Sequence, residues 1–317
     1  MITFLGDVAL IDDNLKSVYK PANPYVFNLE YVAKNEKDNL LPTLGKINLS
    51  SENKAFASIF GKLPLAVCVS NNHIFDYGER GYRTTIENMS KLGVATISNK
   101  PVIISENLCF ISFMYFKGNE LFQFKYEEAK ENIQNVRKDN PDMRIVVQMH
   151  WGIENSPIET REQKEVAHWL IDNGVDLVIG HHPHCLQSVE KYKEKIIFYS
   201  LGNALFGNIC VQSHYDHNYI PQRIYRFKWQ SWNRKTIAVN YDEKNNAVES
   251  VDCLYQRKNN LICKKENVSL DKIIKKKIRF SKIKFYLRKY FLFFASNIFV
   301  DGKLFDLSAI KHELRRK

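Results

Sequence analysis

The stretch VIGHHPHCLQ, residues 178–187, sets His181, His182 and His184 directly after an apolar run. Other short runs rich in Val, Ile and Leu end in polar residues in the same way. Residues 2–5 run into Gly6 and Asp7, 25–27 into Asn28 and Glu30, 65–69 into Asn72 and His73, and 145–147 into His150. Carboxylates, imidazoles and one amide oxygen are the ligand set of divalent Mn, Fe or Zn. No cysteine joins them, which argues against a closed structural zinc site. Two carboxylates and three histidines exceed what one ion with an open position needs. The surplus points to two ions about 3.5–4 Å apart, a pair that activates water and stabilises charge on a phosphoryl oxygen.

Such a set needs elements that bring distant residues to one place. The short apolar runs suit buried strands. Between them, 82–92 and 162–173 have helical periodicity and stop at Gly93 and Gly174. Residues 126–138 predict another helix, closed by Asn140 and Pro141, and 102–116 a hairpin turning near Glu106 and Asn107. The alternating stretch 223–256, with a turn at Asn245 and Asn246, predicts a closing antiparallel pair. This order predicts a layered α/β domain. In that class, loops at the carboxyl ends of strands hold ligands, and every polar cluster above sits at such an end.

A chain of 317 residues, 44% hydrophobic and 26% charged, is globular in composition. Its charge divides it in two: a domain over 1–260 and a basic, aromatic-rich helical extension over 261–317. Residues 264–317 hold 16 Lys or Arg against 5 Asp or Glu, which alone accounts for the net charge of +11. Within the extension, 272–294 read KIIKKKIRFSKIKFYLRKYFLFF. A basic amphipathic helix of this kind suits an anionic membrane surface or a protein partner. Nucleic acid is not expected, because no recognisable nucleic-acid module accompanies the charge. Six scattered cysteines without a C-x-x-C pair fit a reduced compartment. The opening MITFLGDVAL reads as a first strand rather than a signal peptide. These features predict a cytoplasmic protein, peripheral at the inner face of the membrane.

The stretches FLGDVAL (4–10), FNLE (27–30), VSNNHIFDYGERGYRTTIENMSKLGV (69–94) and the long run from HWGIENSP through GHHPHC to SLGNALF (150–206) resemble the bacterial capsule-synthesis proteins of the CapA, or poly-γ-glutamate synthesis, type. Those are similar to calcineurin-like metallophosphoesterases. The resemblance implies an α/β/β/α sandwich and a metal-dependent hydrolase of phosphoesters with two divalent ions. It implies that Asp7 and His184 bind one ion, that His150 and His182 bind the other, and that Glu30 bridges them, with Asn72 as a further ligand. It makes His73 the residue that protonates the leaving group and Asp76 the residue that orients it. Asn203, Glu154 and His181 fall on the substrate side, with Gln163 near the same strand ends. The Gly-His-x-His register can start at His181 or at His182; the second keeps the two imidazoles at i and i+2. Ala9 stands where the wider superfamily has a histidine, so the first ion lacks that imidazole. The substrate expected is phosphorylated or polymeric. Hydrolysis or transfer of an amide or ester in a poly-γ-glutamate-like polymer, and a non-catalytic role in capsule assembly, are the alternatives.

Overall fold

Every residue of the first strand, Ile2–Ala9, is buried, as required of a strand covered on both faces. The computed structural model describes residues 1–12, 14–52, 56–115, 120–257 and 261–275. Ile2–Ala9 lies inside a nine-stranded sheet, with Tyr25–Leu29, Ala66–Cys68 and Ala95–Ile97 following it in parallel on one side. On the other side it pairs antiparallel with Lys235–Asp242, which leads to Ala247–Gln256 and Leu261–Val268. A second sheet of six strands is ordered Val189–Tyr192, Lys195–Phe198, Leu177–His181, Arg144–Trp151, Leu108–Tyr115, Val102–Ser105.

Alternation along these strands builds the layers. Phe4, Val26, Val146, Leu177 and Ile179 share one apolar cluster with Phe110, Phe198 and Val239, drawn from both sheets. Their neighbours point the other way. Val147, Met149 and Val178 pack with Ile133, Val166 and Leu170 of the helices Tyr126–Asp139 and Arg161–Asp172. Phe27 and Val67 pack with Met89 of the helix Gly78–Lys91 and with Phe56 and Phe60. The result is the α/β/β/α layering expected.

Both helix stops fall where the glycines predicted, with Gly93 at φ +71° and Gly174 at φ +103° just past the caps. Gln163, offered above as a residue near the strand ends, closes a capping box with Thr160 and donates to Gln187. The hairpin over 102–115 is present. The expected single pair over 223–256 is instead two structures. Residues up to Phe227 pair with Ile209–Tyr215, and Lys235–Asp242 pairs with Ala247–Gln256. The strand Leu261–Val268 belongs to the large sheet, so that sheet runs past residue 260. The expected surface helix at 272–294 lies, beyond Lys275, outside the described residues. Among the described residues, no helix is long and apolar enough to cross a membrane.

Candidate metal centre

A break in alternation aims Asp7 correctly. Phe4 pairs with Val26 and Asp7 with Asn28, three residues against two, so one extra residue is accommodated between them. Strict alternation from Phe4 would turn Asp7 to the outer face with Leu5; the irregularity turns it between the sheets. Gly6 makes room for this. A Cβ there would lie 1.8 Å from the Gly202 carbonyl oxygen, and that oxygen accepts from the Asp7 amide at 2.9 Å. The same approach seats Asn203–Phe206 parallel to the first strand, with Asn203 beside Asp7.

In the second sheet, ordinary alternation suffices for His150, which shares its face with Val146 and Gln148. His181 continues the face of Leu177 and Ile179, with Nδ1 3.2 Å from Asp7 Oδ1 and Nε2 3.2 Å from Gln148 Oε1. The next residues leave the extended backbone: His182 has φ +92° and His184 φ +53°. The i, i+2 extended geometry expected of them is therefore absent. Left-handed turns, costly for residues with a Cβ, bring consecutive imidazoles to one place instead. The rings of His182 and His150 are 4.7 Å apart and those of His182 and His184 6.0 Å.

The side chains converge on Glu30. Its Oε1 lies 3.6 Å from His150 Nε2 and 3.6 Å from His184 Nε2. His184 Nδ1 is 3.4 Å from Asp7 Oδ2 and 2.9 Å from Asn203 Oδ1. Asn72 Oδ1 is 2.7 Å from His150 Nε2. Three groups of potential ligand atoms lie within 4.8 Å of one another: Glu30, His150 and His182; Asp7, Glu30 and His184; Glu154, His182 and His184. All are buried except Glu154, which is exposed. His73 Nδ1 bonds Asp76 Oδ2 at 2.7 Å. Asp76, fully buried, also accepts from the Leu49 amide at 2.6 Å and pairs with Lys46 Nζ at 2.6 Å. Arg80 is exposed on its helix and is not part of this cluster.

The structure brings Asp7, Glu30, Asn72, His150, His181, His182, His184, Asn203 and Glu154 together, while His73 and Asp76 form a pair of their own. Sequence reasoning assigned no role to Asn28, Gln148 or Lys46. Asn28 donates to Asp7 at 2.9 Å and accepts from Asn71 at 3.1 Å. Its place two residues before Glu30, on the strand face of Val26, was the available signal. Lys46 sits in a loop with no pattern at all.

The electrostatics are those of a ligand set. Burial pushes the Glu30 carboxyl well up, with the Asp7 charge adding to it and His184 opposing. Burial opposes ionisation of Asp7 as well, but His181 and His184 hold it well below the usual carboxylate range. Burial, then His182, pushes His150 down; burial also lowers His182, to about 4. His184 is raised to about 10, the Glu30 and Asp7 charges outweighing burial. Among the described residues, neither Glu30 oxygen has a hydrogen-bond partner. Buried charges are ordinarily paired or bound to metals, so a carboxylate left without hydrogen bonds among imidazoles fits divalent cations. The residues present could hold a metal ion.

The family model for bacterial capsule synthesis protein PGA_cap matches residues 6–101 and 111–208. The chain is 28% identical over 220 residues to the capsule biosynthesis protein CapA of Bacillus anthracis, covering 60% of this chain and 53% of that protein. It is 28% identical over 217 residues to the PGA biosynthesis protein CapA of Bacillus subtilis, covering 60% and 57%. A probable polyglutamine synthesis accessory protein of Mycobacterium tuberculosis is 23% identical over 174 residues, 45% of each chain. The chain spans about half the length of the curated relatives it matches. With more than half of its residues under that family model, which takes in every ligand candidate, the chain belongs to the bacterial capsule synthesis protein family.

Proposed function

We propose that the chain is a metal-dependent hydrolase of phosphoesters with a dinuclear centre, acting in capsule or surface-polymer synthesis. One observation carries this reading: Glu30 is common to two separate ligand groups, one completed by His150 and His182 and the other by Asp7 and His184. A shared buried carboxylate is what a two-ion site needs. Bound there, two divalent cations would supply Lewis-acid activation of water and of the ester's phosphoryl oxygen. The chain's own residues do the rest. Asp76 fixes the His73 ring through Nδ1, leaving Nε2 to face the ester. Hydrolysis forms one phosphorus–oxygen bond to water and breaks the one to the leaving group, and His73 gives the departing oxygen its proton. Glu154, exposed beside His182 and His184, stands on the substrate side. A cytoplasmic position, peripheral to the membrane through the basic tail, belongs to the same reading.

A second reading rests on the relatives named for PGA and polyglutamine synthesis. The same centre would act on an amide or ester of such a polymer. The purified full chain, loaded with Mn²⁺, decides between them on generic phosphodiesters, phosphomonoesters and poly-γ-glutamate. Phosphoester turnover that disappears in His73→Ala with metal content unchanged supports the first reading. Cleavage of the polymer alone favours the second. Bound metal without any turnover contradicts both.

A further inference from the structure

Glu154 is the one exposed member of the three ligand groups, and an exposed glutamate on a loop is ordinarily solvated. The loop that carries it is not built like a surface turn. Where the strand Arg144–Trp151 ends, Gly152 takes φ +85°. A Cβ there would lie 2.7 Å from Gln163 Oε1, an atom already fixed by its bond from the Thr160 amide. The chain then turns over residues 153–156, with the Ser156 amide donating to the Ile153 carbonyl at 3.1 Å. Buried side chains hold the far end of the turn. Gln163 donates to Gln187 at 2.9 Å, and Gln187 donates to the carbonyl of buried Ser156 at 3.0 Å.

A second set of bonds holds this turn against the histidines. Asn155, at φ +60°, donates its amide to the Pro183 carbonyl at 2.8 Å. Pro183 stands between His182 and His184 in the chain. The buried Asn233 side chain closes the clamp, donating to Asn155 Oδ1 at 2.9 Å and to the His184 carbonyl at 3.0 Å. Asn155, His182 and His184 all adopt left-handed backbone, which costs energy for a residue with a Cβ. Glu154 is therefore fastened on both sides. Ligand atoms of its carboxylate, of His182 and of His184 lie within 4.8 Å of one another.

The membership of the three groups says what this one adds. Glu30 meets His182 in one group and His184 in another, and Glu154 meets the same two imidazoles. Glu30 is buried and Glu154 exposed, so one carboxylate reaches the pair from the interior and the other from the solvent side. The Glu154 group brings a carboxylate and no new imidazole. It supplies a further ligand to the two ions rather than a place for a third.

Resting on the dinuclear centre proposed above, we infer that Glu154 is a metal ligand. Its carboxylate binds, from the solvent side, a cation held by His182 or His184, and so forms the face of the centre that the ester approaches.

The test is metal affinity of the full chain rather than turnover. Mn²⁺ binding is measured in competition with a chelating indicator, and the visible absorption of the Co²⁺-loaded chain reports the ligands around the ion. Wild type, Glu154→Gln and Glu154→Asp are compared. Losing even a partner that only orients a ligand typically costs roughly 10–100-fold in metal affinity. Glu154→Gln should therefore weaken binding of at least one ion by about tenfold or more and change the Co²⁺ spectrum. Glu154→Asp keeps the charge but draws the carboxylate back by a methylene, so it should also lose affinity, by less, and shift the spectrum. Wild-type affinity and spectrum in Glu154→Gln overturn the inference and leave this residue to the substrate alone. Weakened binding in Glu154→Gln with Glu154→Asp identical to wild type also overturns it, because charge at a distance then accounts for the loss. No bound metal in wild type removes this inference and the hydrolase reading together. Glu154-dependent metal binding by a chain that hydrolyses no phosphoester removes the hydrolase reading and leaves this one standing.

Discussion

The carbonyl oxygen of Gly202 occupies the space a side chain at Gly6 would need, 1.8 Å from the Cβ position. That contact joins two distant segments and turns Asp7 and Asn203 toward one point. Because backbone meets backbone, neither side can yield cheaply. Gly6→Ala should cost about 3 kcal/mol, at or above the usual range for overpacking, and lower the melting temperature by about 6–12 °C. Metal content should fall with it. A melting curve within 2 °C of wild type would mean that the approach is not structural.

Glu30 is the residue whose loss should separate metal binding from folding. Burial pushes its carboxyl up, so the ionised form is costly in the metal-free fold. Glutamine is neutral at every pH. Metal-free Glu30→Gln should therefore melt no lower than metal-free wild type, while its bound metal drops to one ion or none. Calorimetry and elemental analysis of the same sample check both halves.

His73 and Asp76 should differ in degree. General acids contribute typically 10²–10⁴-fold, so His73→Ala should cut kcat by about that much and keep its metal. Asp76→Asn leaves the ring in place with a weaker partner and should cost less. It also weakens the pairing with Lys46 and the Leu49 amide, so its melting temperature should fall where that of His73→Ala does not.

Away from the centre, Asp176 ties the second sheet to its helix. It pairs with Arg137 and Lys195, each at 2.6 Å, and accepts from the Ile145 amide at 2.9 Å. Burial opposes its ionisation, but Lys195, the Ile145 amide and Arg137 hold its carboxyl below the usual range. The folded value is thus lower than the unfolded one. The stabilisation is complete above the unfolded value of about 3.9 and is lost as pH falls through the folded value. Asp176→Asn should cost roughly 2 kcal/mol at pH 7, with the gap narrowing below about pH 4. Urea unfolding at pH 7 and pH 3 measures it; a gap that does not change with pH rejects the assignment.

How much of this could be read in the sequence depended on locality. Glu30, Asn72, His150 and His182 stand where apolar runs stop, and a strand end is a local signal. Gly93 and Gly174 marked helix ends for the same reason. Asp7 was found by its motif, yet its direction depends on an irregularity set by pairing with Tyr25–Leu29 and by Gly202, some 195 residues away. The pairing of His182 with His184 was expected from extended geometry and is produced by left-handed turns. Lys46 was invisible because nothing near it in the chain shows what it faces. The stretch 223–256 looked like one pair because both hairpins alternate; the break around Trp229 exists to pack that ring on Phe206 and His184.

Metal stoichiometry of the purified full chain tests the central claim most directly, because Glu30 can serve two ligand groups only if both fill. Elemental analysis after loading with Mn²⁺ and removal of excess should give two ions per wild-type chain and at most one in Glu30→Gln. A single ion in wild type, kept in full by Glu30→Gln, would contradict the account.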